Sequence, residues 1–364
     1  MPRQIDYYFS ISSPWAYIGH KLFREVVNTH GLKVNHKPVV LVDLFSETGG
    51  LPLMKRHPVR QRYRMVELQR WRDKRGLQFH LQPANWPFNA RLVDGLVIAG
   101  TSGEFIAMDS EERKRVFLLA RDVVRGRVPV IYGSGHYSTK LTIDLSQEAE
   151  KCGADAIIVI LPYYQKPSKA AVIEHFRRVR KAVDLPVMLY NNPGNSVCVD
   201  FSATEIVKLV EEDVVHMVKS TYGTVEPVHD LSYFLDDRIA IFYGSFLAGF
   251  EGLCAGAHGW ISGLLNVASG AAQALYQATV VDGDVGKGLK IWKRILPLVH
   301  LYTYQQIGPV SDLAIYRSVL NLWGLEGGYS RDPFFPLDQQ QIETLRGILK
   351  QSGWLDPGRA LDGV

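Results

Sequence analysis

Lys219 closes the apolar run Val214-Val215-His216-Met217-Val218-Lys219 and is the first residue here with an obvious chemical use. Burial strips an ammonium of its hydration, which lowers a lysine's pKa and favours the neutral amine that attacks a ketone. At the C-terminal end of a barrel strand it would stand where barrel active sites collect; the alternative is a lysine that has left the strand and faces solvent. Tyr190 ends another apolar run, ahead of Asn191-Asn192-Pro193. Its phenol could shuttle protons between carbinolamine, imine and enamine, or could simply cap a barrel core. The turn Gly100-Thr101-Ser102-Gly103-Glu104 offers hydroxyls and backbone N–H groups suited to holding a carboxylate. Pro162-Tyr163-Tyr164-Gln165-Lys166-Pro167 adds paired tyrosines.

These residues need elements to hold them. From residue 95 onward short β-branched runs recur: GLVIAG, VPVIYG, AIIVILP, PVMLYN, VVHMVKS, IAIFYG and HGWISG. Amphipathic helical segments separate them, with a period of roughly 30 residues that shortens later. Runs that are apolar on both faces suit an all-parallel sheet covered by helices. Seven consecutive βα units without a glycine fingerprint predict an α/β fold of the (β/α)8-barrel type. Asp109 with Glu112, and Ser202 with Glu205, read as capping boxes at helix starts. Beyond residue 265 the helical segments 271–281, 286–305 and 339–350 predict a helical C-terminal extension. The expected domains are therefore 1–92, 93–265 for the barrel and 266–364 for the extension.

Composition bounds the function. The chain has 364 residues, 46% hydrophobic and 21% charged, with 32 Gly and 18 Pro, the profile of an ordinary globular α/β protein. The net charge of +4 is small, and much of the excess lies in the basic stretch Lys55 to Arg75. No groove- or strand-binding motif accompanies that stretch, so it reads as a solvated helix face or a small-anion site, not a nucleic-acid surface. Three cysteines, Cys152, Cys198 and Cys254, lie far apart with no CxxC and no histidine at metal spacing. Neither a disulfide framework nor a metal site is expected. No apolar leader and no stretch of membrane length is read, so the expected setting is the cytoplasm.

Together GTSGE, PYYQKP, LYNNPG and the VKS lysine stand in the order and spacing of the dihydrodipicolinate synthase and N-acetylneuraminate lyase family of class I aldolases, which residues 93–357 resemble. The resemblance implies a lyase that forms a Schiff base with pyruvate or a related 2-oxo acid, with no cofactor beyond the covalent imine on Lys219. It implies Tyr190 as proton shuttle and Thr101 and Tyr164 as a hydroxyl relay, Tyr164 reaching in from a neighbouring subunit of a homo-oligomer, dimer or tetramer. Thr101 and Ser102 would grip the carboxylate, and Gly244 and Ile261 would line the pocket. Where the synthases carry an arginine for the aldehyde's own carboxylate, this chain has Asn195. The aldehyde is therefore expected to lack a carboxylate at that point. The family's first strand and helix have no counterpart before GTSGE. One possible substitute is the stretch from Lys33 through the basic helix.

Residues 1–92 differ in character: a strand at Ile5 to Ile11, a helix from Pro14, a second strand near Lys33 to Val42, then the basic helix. This order, with Ser-Pro at the first helix start, is the front half of a thioredoxin-like fold. Ser13 reads as an N-cap with Pro14 at N1, or as a hydroxyl at a positive helix terminus that could stabilise a thiolate. The segment from Asp6 to Tyr17, the basic helix and Pro83-Ala84-Asn85-Trp86-Pro87-Phe88-Asn89 resemble 2-hydroxychromene-2-carboxylate isomerases, relatives of kappa-class glutathione transferases. That resemblance implies glutathione beside Ser13, although the later half of that fold is absent. Two alternatives thus accompany the lyase: a glutathione-dependent isomerase, and an inactive chimera of two truncated domains.

Overall fold

The computed structural model describes residues 4–10, 13–39, 48, 51, 56–77, 96–124, 128–196 and 200–356. They divide into two compact units, Met1–Leu96 with Val124–Pro129, and Val97–Val123 with Val130–Val364.

The first unit contains β1 (Gln4–Phe9), α1 (Pro14–Thr29), β2 (Lys33–Pro38) and α2 (Pro58–Arg75). β1 and β2 pair in parallel, from Gln4 opposite Lys33 to Phe9 opposite Pro38. Tyr7 stacks on Phe23 of α1 at 4.0 Å between ring centroids, which seats the helix on the strand pair. Pro14 occupies the first turn of α1 as expected, but the Ser13 hydroxyl makes no cap hydrogen bond. The capping bond read from sequence is not realised: the hydroxyl is not turned toward the N–H groups of the first turn, and Pro14 has no N–H to offer. α2 ends at Gly76 in the left-handed region, φ 60°, where a side chain would be strained. The strand expectation 39–42 and the segment Pro83 to Asn89 fall largely outside the described residues.

The second unit carries the barrel-type sheet. Its strands are β3 (Leu96–Ile98), β4 (Val130–Gly133), β5 (Ala156–Ile160), β6 (Val187–Asn191), β7 (Met217–Ser220), β8 (Ala240–Tyr243) and β9 (Gly259–Trp260), neighbours in that order. Each apolar run from the sequence supplies one strand. β4, β5, β6 and β7 are buried at every position, as parallel strands covered on both faces must be. The substitute proposed from sequence fails at the level of pairing. β2 bonds to β1 in a separate two-stranded sheet and is not a strand of the seven-stranded one. Among the described residues, β3 and β9 therefore each pair on one side only.

Helices α3 (Ser110–Val124), α4 (Thr139–Lys151), α5 (Lys169–Ala182), α6 (Ala203–Glu211), α7 (Glu226–Leu235) and α8 (Gly249–Cys254) alternate with the strands. Both capping boxes form. Asp109 and Glu112 exchange backbone-to-carboxylate bonds of 3.2 and 2.8 Å, and Ser202 with Glu205 does the same at α6. The helical extension comprises α9 (Leu265–Tyr276), α10 (Val285–Thr303), α11 (Asp312–Leu322) and α12 (Gln339–Ser352). The segment 271–281 is not one α-helix, since a π-type turn takes over at Gln277. Two tryptophans tie the end of the chain down. Trp323 Nε1 donates to the Trp354 carbonyl at 2.8 Å, and Trp354 Nε1 donates to the Arg294 carbonyl at 2.7 Å.

Candidate active site

Parallel pairing sets Tyr190 of β6 directly opposite Lys219 of β7, with Ile160 and Phe242 as their outer neighbours. Residues paired across parallel strands present their side chains to the same face, so this register alone brings amine and phenol together. Lys219 Nζ lies 4.0 Å from the centroid of the Tyr190 ring. Both residues are buried, at 9% and 7% exposure, which settles the lysine's position at a buried strand end rather than in solvent. They share a cavity with Thr101, Phe105, Arg113, Gly133, Gly135 and Ile158.

The phenol's environment is unusual. Burial by itself pushes a tyrosine's pKa up, but the Lys219 charge and polar contacts from Thr101, Thr221 and Lys219 outweigh it, and Tyr190 ends below its ordinary value. Asn192 adds a bond from Nδ2 to the phenol oxygen at 3.0 Å. The Thr221 hydroxyl is buried without a partner of good geometry, so its effect on the phenol is electrostatic. Sequence reasoning missed Thr221, although a signal existed. It stands two residues past Lys219, the spacing that returns to the same face of a strand, and its N–H extends the ladder to Asn191 O at 2.9 Å.

Gly244 comes up against the same group. Its N–H bonds Ser220 O at 2.8 Å. A Cβ there would lie 1.8 Å from Thr221 Oγ1 and 2.9 Å from Lys219 Cε, so only glycine fits. Beneath the lysine a polar girder fixes the strand ends. Asn191 Nδ2 donates to Phe201 O at 3.0 Å and Tyr222 Oη at 2.9 Å, and the Tyr222 hydroxyl donates to Asp200. Tyr243 Oη reaches Tyr222 O at 2.9 Å.

Other expected residues are not among those lining this cavity. Ser102 packs against Gly263, where a Cβ would meet Ser102 Oγ at 2.5 Å. Ile261 continues β9 through its N–H to Tyr243 O at 2.9 Å. Tyr164 is 86% exposed with φ 80° and is not in the cavity around Lys219. Asn195 lies in the helical turn Pro193–Ser196, and its side chain is outside what is described. A second residue that sequence reasoning missed is Arg113. It is buried to 2% exposure, and its guanidinium bonds the Gly133 and Gly135 carbonyls and lies 5.1 Å from the Phe105 ring. Burial pulls it down to about 10. No cluster of metal-ligating side chains occurs among the described residues, and none of their helices is long and apolar enough to cross a membrane.

A (β/α)-barrel-like sheet with a buried lysine beside a tyrosine at its strand ends defines an enzyme of the class I, lysine Schiff-base aldolase and lyase type. The chain belongs to the dihydrodipicolinate synthetase family, whose sequence profile matches residues 83–352. A profile of the DSBA-like thioredoxin domain matches residues 4–117, overlapping the first. Among relatives, the 4-hydroxy-tetrahydrodipicolinate synthase of Oceanobacillus iheyensis is 32% identical over 70% of this chain and 84% of its own. The enzyme of that name from Nitrobacter hamburgensis is 34% identical over 72% and 87%. Among solved structures, a prophage protein of the dihydrodipicolinic acid synthase family from E. coli K12, in complex with pyruvate, is 31% identical. It covers 72% of this chain and 88% of its own, with a TM-score of 0.66. Dihydrodipicolinate synthase from Bacillus anthracis is 29% identical over 71% and 86%, with a TM-score of 0.65. The family's chemistry is a covalent imine on lysine without an external cofactor.

Proposed function

We propose that this chain is a Schiff-base lyase acting on pyruvate or a closely related 2-oxo acid, with Lys219 as nucleophile and Tyr190 as proton shuttle. The single observation that carries the reading is the buried pair itself, amine against phenol at 4.0 Å. The neutral Lys219 amine adds to the ketone carbon, and the oxygen takes a proton by way of Tyr190. Loss of that oxygen as water gives the imine. Removal of a proton from the adjacent carbon yields the enamine, which attacks an aldehyde or is regenerated when a carbon–carbon bond breaks in the reverse direction. Water then releases Lys219. Thr101 and Ser102 are assigned to the carboxylate, Gly244 and Ile261 to the pocket wall.

Asn195 in place of an arginine supports an aldehyde without a carboxylate at that point, in contrast to what the relatives' name implies of their substrate. The exposed Tyr164 supports a homo-oligomer, dimer or tetramer, in which it serves a neighbouring site; the setting proposed is the cytoplasm. Borohydride reduction in the presence of pyruvate, followed by mass spectrometry, should place a carboxyethyl group on Lys219. Modification elsewhere, or none, would end the reading.

A second reading attaches to the first unit. Its β1–α1–β2 order, the free Ser13 cap and the thioredoxin-type match favour a glutathione-dependent isomerase-like site at Ser13. Retention on immobilised glutathione that is lost in Ser13→Ala is its test. Should neither ligand bind and the chain unfold without cooperativity, the inactive-chimera alternative would stand.

A further inference from the structure

We infer that Arg317 of the helical extension is a positioning residue for the candidate site, acting through Glu104 to hold the Thr101–Ser102 hydroxyls in place. The inference rests on the site reading above, because Thr101 matters only if Lys219 and Tyr190 do the chemistry.

Glu104 follows Thr101-Ser102-Gly103 and adopts φ 55°, ψ 35°, a left-handed conformation that a residue with a Cβ holds only when its surroundings impose it. Its surroundings do so. The carboxylate is buried to 2% exposure and accepts from the Arg317 guanidinium and, at 3.0 Å, from the backbone N–H of Arg331. A carboxylate so far from water requires its partners, since losing one leaves a buried charge uncompensated. Arg317 is itself anchored, donating to Gly327 O at 2.8 Å.

The same helix comes close to the turn again at Gly263, where an added Cβ would overlap the Ser102 hydroxyl at 2.5 Å and sit tightly against the Tyr316 ring at 3.0 Å. Arg331 completes the clamp, bonding both Glu112 oxygens at 2.9 Å and the Ala107 carbonyl at 3.3 Å. Glu104 and Ala107 are thus bonded by residues more than 200 positions later in the chain, while Ser102 packs at Gly263. Glu104 does not line the cavity that holds Lys219, which makes its contribution one of placement.

Two measurements test this, one of them independent of catalysis. Amide hydrogen exchange across residues 101–107 should accelerate by about tenfold or more in Arg317→Gln and Glu104→Gln, while β5, β6 and β7 keep wild-type protection. In borohydride trapping, the pyruvate concentration for half-maximal labelling of Lys219 should rise about tenfold in the same variants, with the labelling reached at saturation little changed. Arg317→Lys, which keeps the charge but loses the fork, should recover part of both effects and guards against a variant that fails to fold. A purely structural role would lower the unfolding midpoint and leave both readouts unmoved below it. Unchanged exchange at 101–107 in a folded Arg317→Gln protein overturns the inference. A wild-type chain that never labels Lys219 would overturn the site reading, while the exchange result would still decide whether Arg317 holds the turn.

Discussion

At the scale of single residues, the pair Lys219 and Tyr190 illustrates how one side chain sets the other's chemistry. The Lys219 charge offsets the cost of burying a phenolate, and the ring centroid lies 4.0 Å from the amine that the proposed relay would serve. Tyr190→Phe keeps the ring and removes the relay. It should slow adduct formation by about 10²–10⁴-fold, measured as the rate of borohydride-trappable labelling, while Lys219 remains the labelled residue. A rate within a factor of two of wild type would remove Tyr190 from the mechanism. Gly244→Ala is a steric test at the same site. The new methyl would overlap Thr221 Oγ1 and press on Lys219 Cε. A cost of about 1–3 kcal/mol in urea unfolding is expected, together with loss of labelling. Thr221 was legible in principle from the two-residue repeat of a strand. Arg113 was not, because one arginine in Glu111-Glu112-Arg113-Lys114-Arg115 gives no sign that it alone turns inward.

Among elements, the strands were legible because burial on both faces demands continuous apolar runs, and each such run became a strand. Helix starts were equally legible where side chain and backbone exchange bonds, as at Asp109 and Ser202. Ser13 misled because residue type alone does not fix a hydroxyl's rotamer. The packing of α4 against α5 makes a pH prediction. His175 of α5 bonds Thr139 Oγ1 at 2.9 Å, is 4% exposed, and is pulled down to about 4 chiefly by burial. Above the ordinary histidine value of 6.5 neither folded nor unfolded chain binds a proton there, and its contribution to stability is complete. As pH falls from about 6.5 toward 4 the unfolded chain takes up the proton first, so stability drops by roughly 3 kcal/mol. Urea midpoints measured between pH 7 and pH 4.5 should fall less in His175→Gln than in the parent. Equal slopes would show that His175 is not the group responsible.

Across the whole molecule, the helical extension is the part whose purpose the sequence concealed. It closes on itself through Trp323 and Trp354 and reaches back to the hydroxyl turn through Arg317 and Arg331. Trp354→Ala removes a buried indole and its bond to the Arg294 carbonyl, while the bond from Trp323, accepted by the Trp354 backbone, keeps its acceptor. It should cost about 3–5 kcal/mol of unfolding free energy, read by urea denaturation, and should loosen the 101–107 turn at temperatures where the sheet persists. An unchanged midpoint would mean that the extension does not stabilise the unit. The two ends of the seven-stranded sheet are a different matter. β3 and β9 are edges among the described residues, and unpaired parallel edges invite partners.

The amino-acid sequence by itself determined the alternation of strand and helix, the placement of Lys219 and Tyr190 each at a strand end, and the family chemistry these imply. Those properties are local: apolar periodicity, glycine and proline placement, and short motifs whose order survives in one dimension. Tertiary structure alone decided which strands pair, so β2 went to β1 and not to the larger sheet. It also decided that Glu104 is buried against Arg317, 213 residues away, and that Tyr164 points to solvent. Register, burial and long-range ion pairing depend on what the rest of the chain places opposite a residue, and no local pattern encodes that.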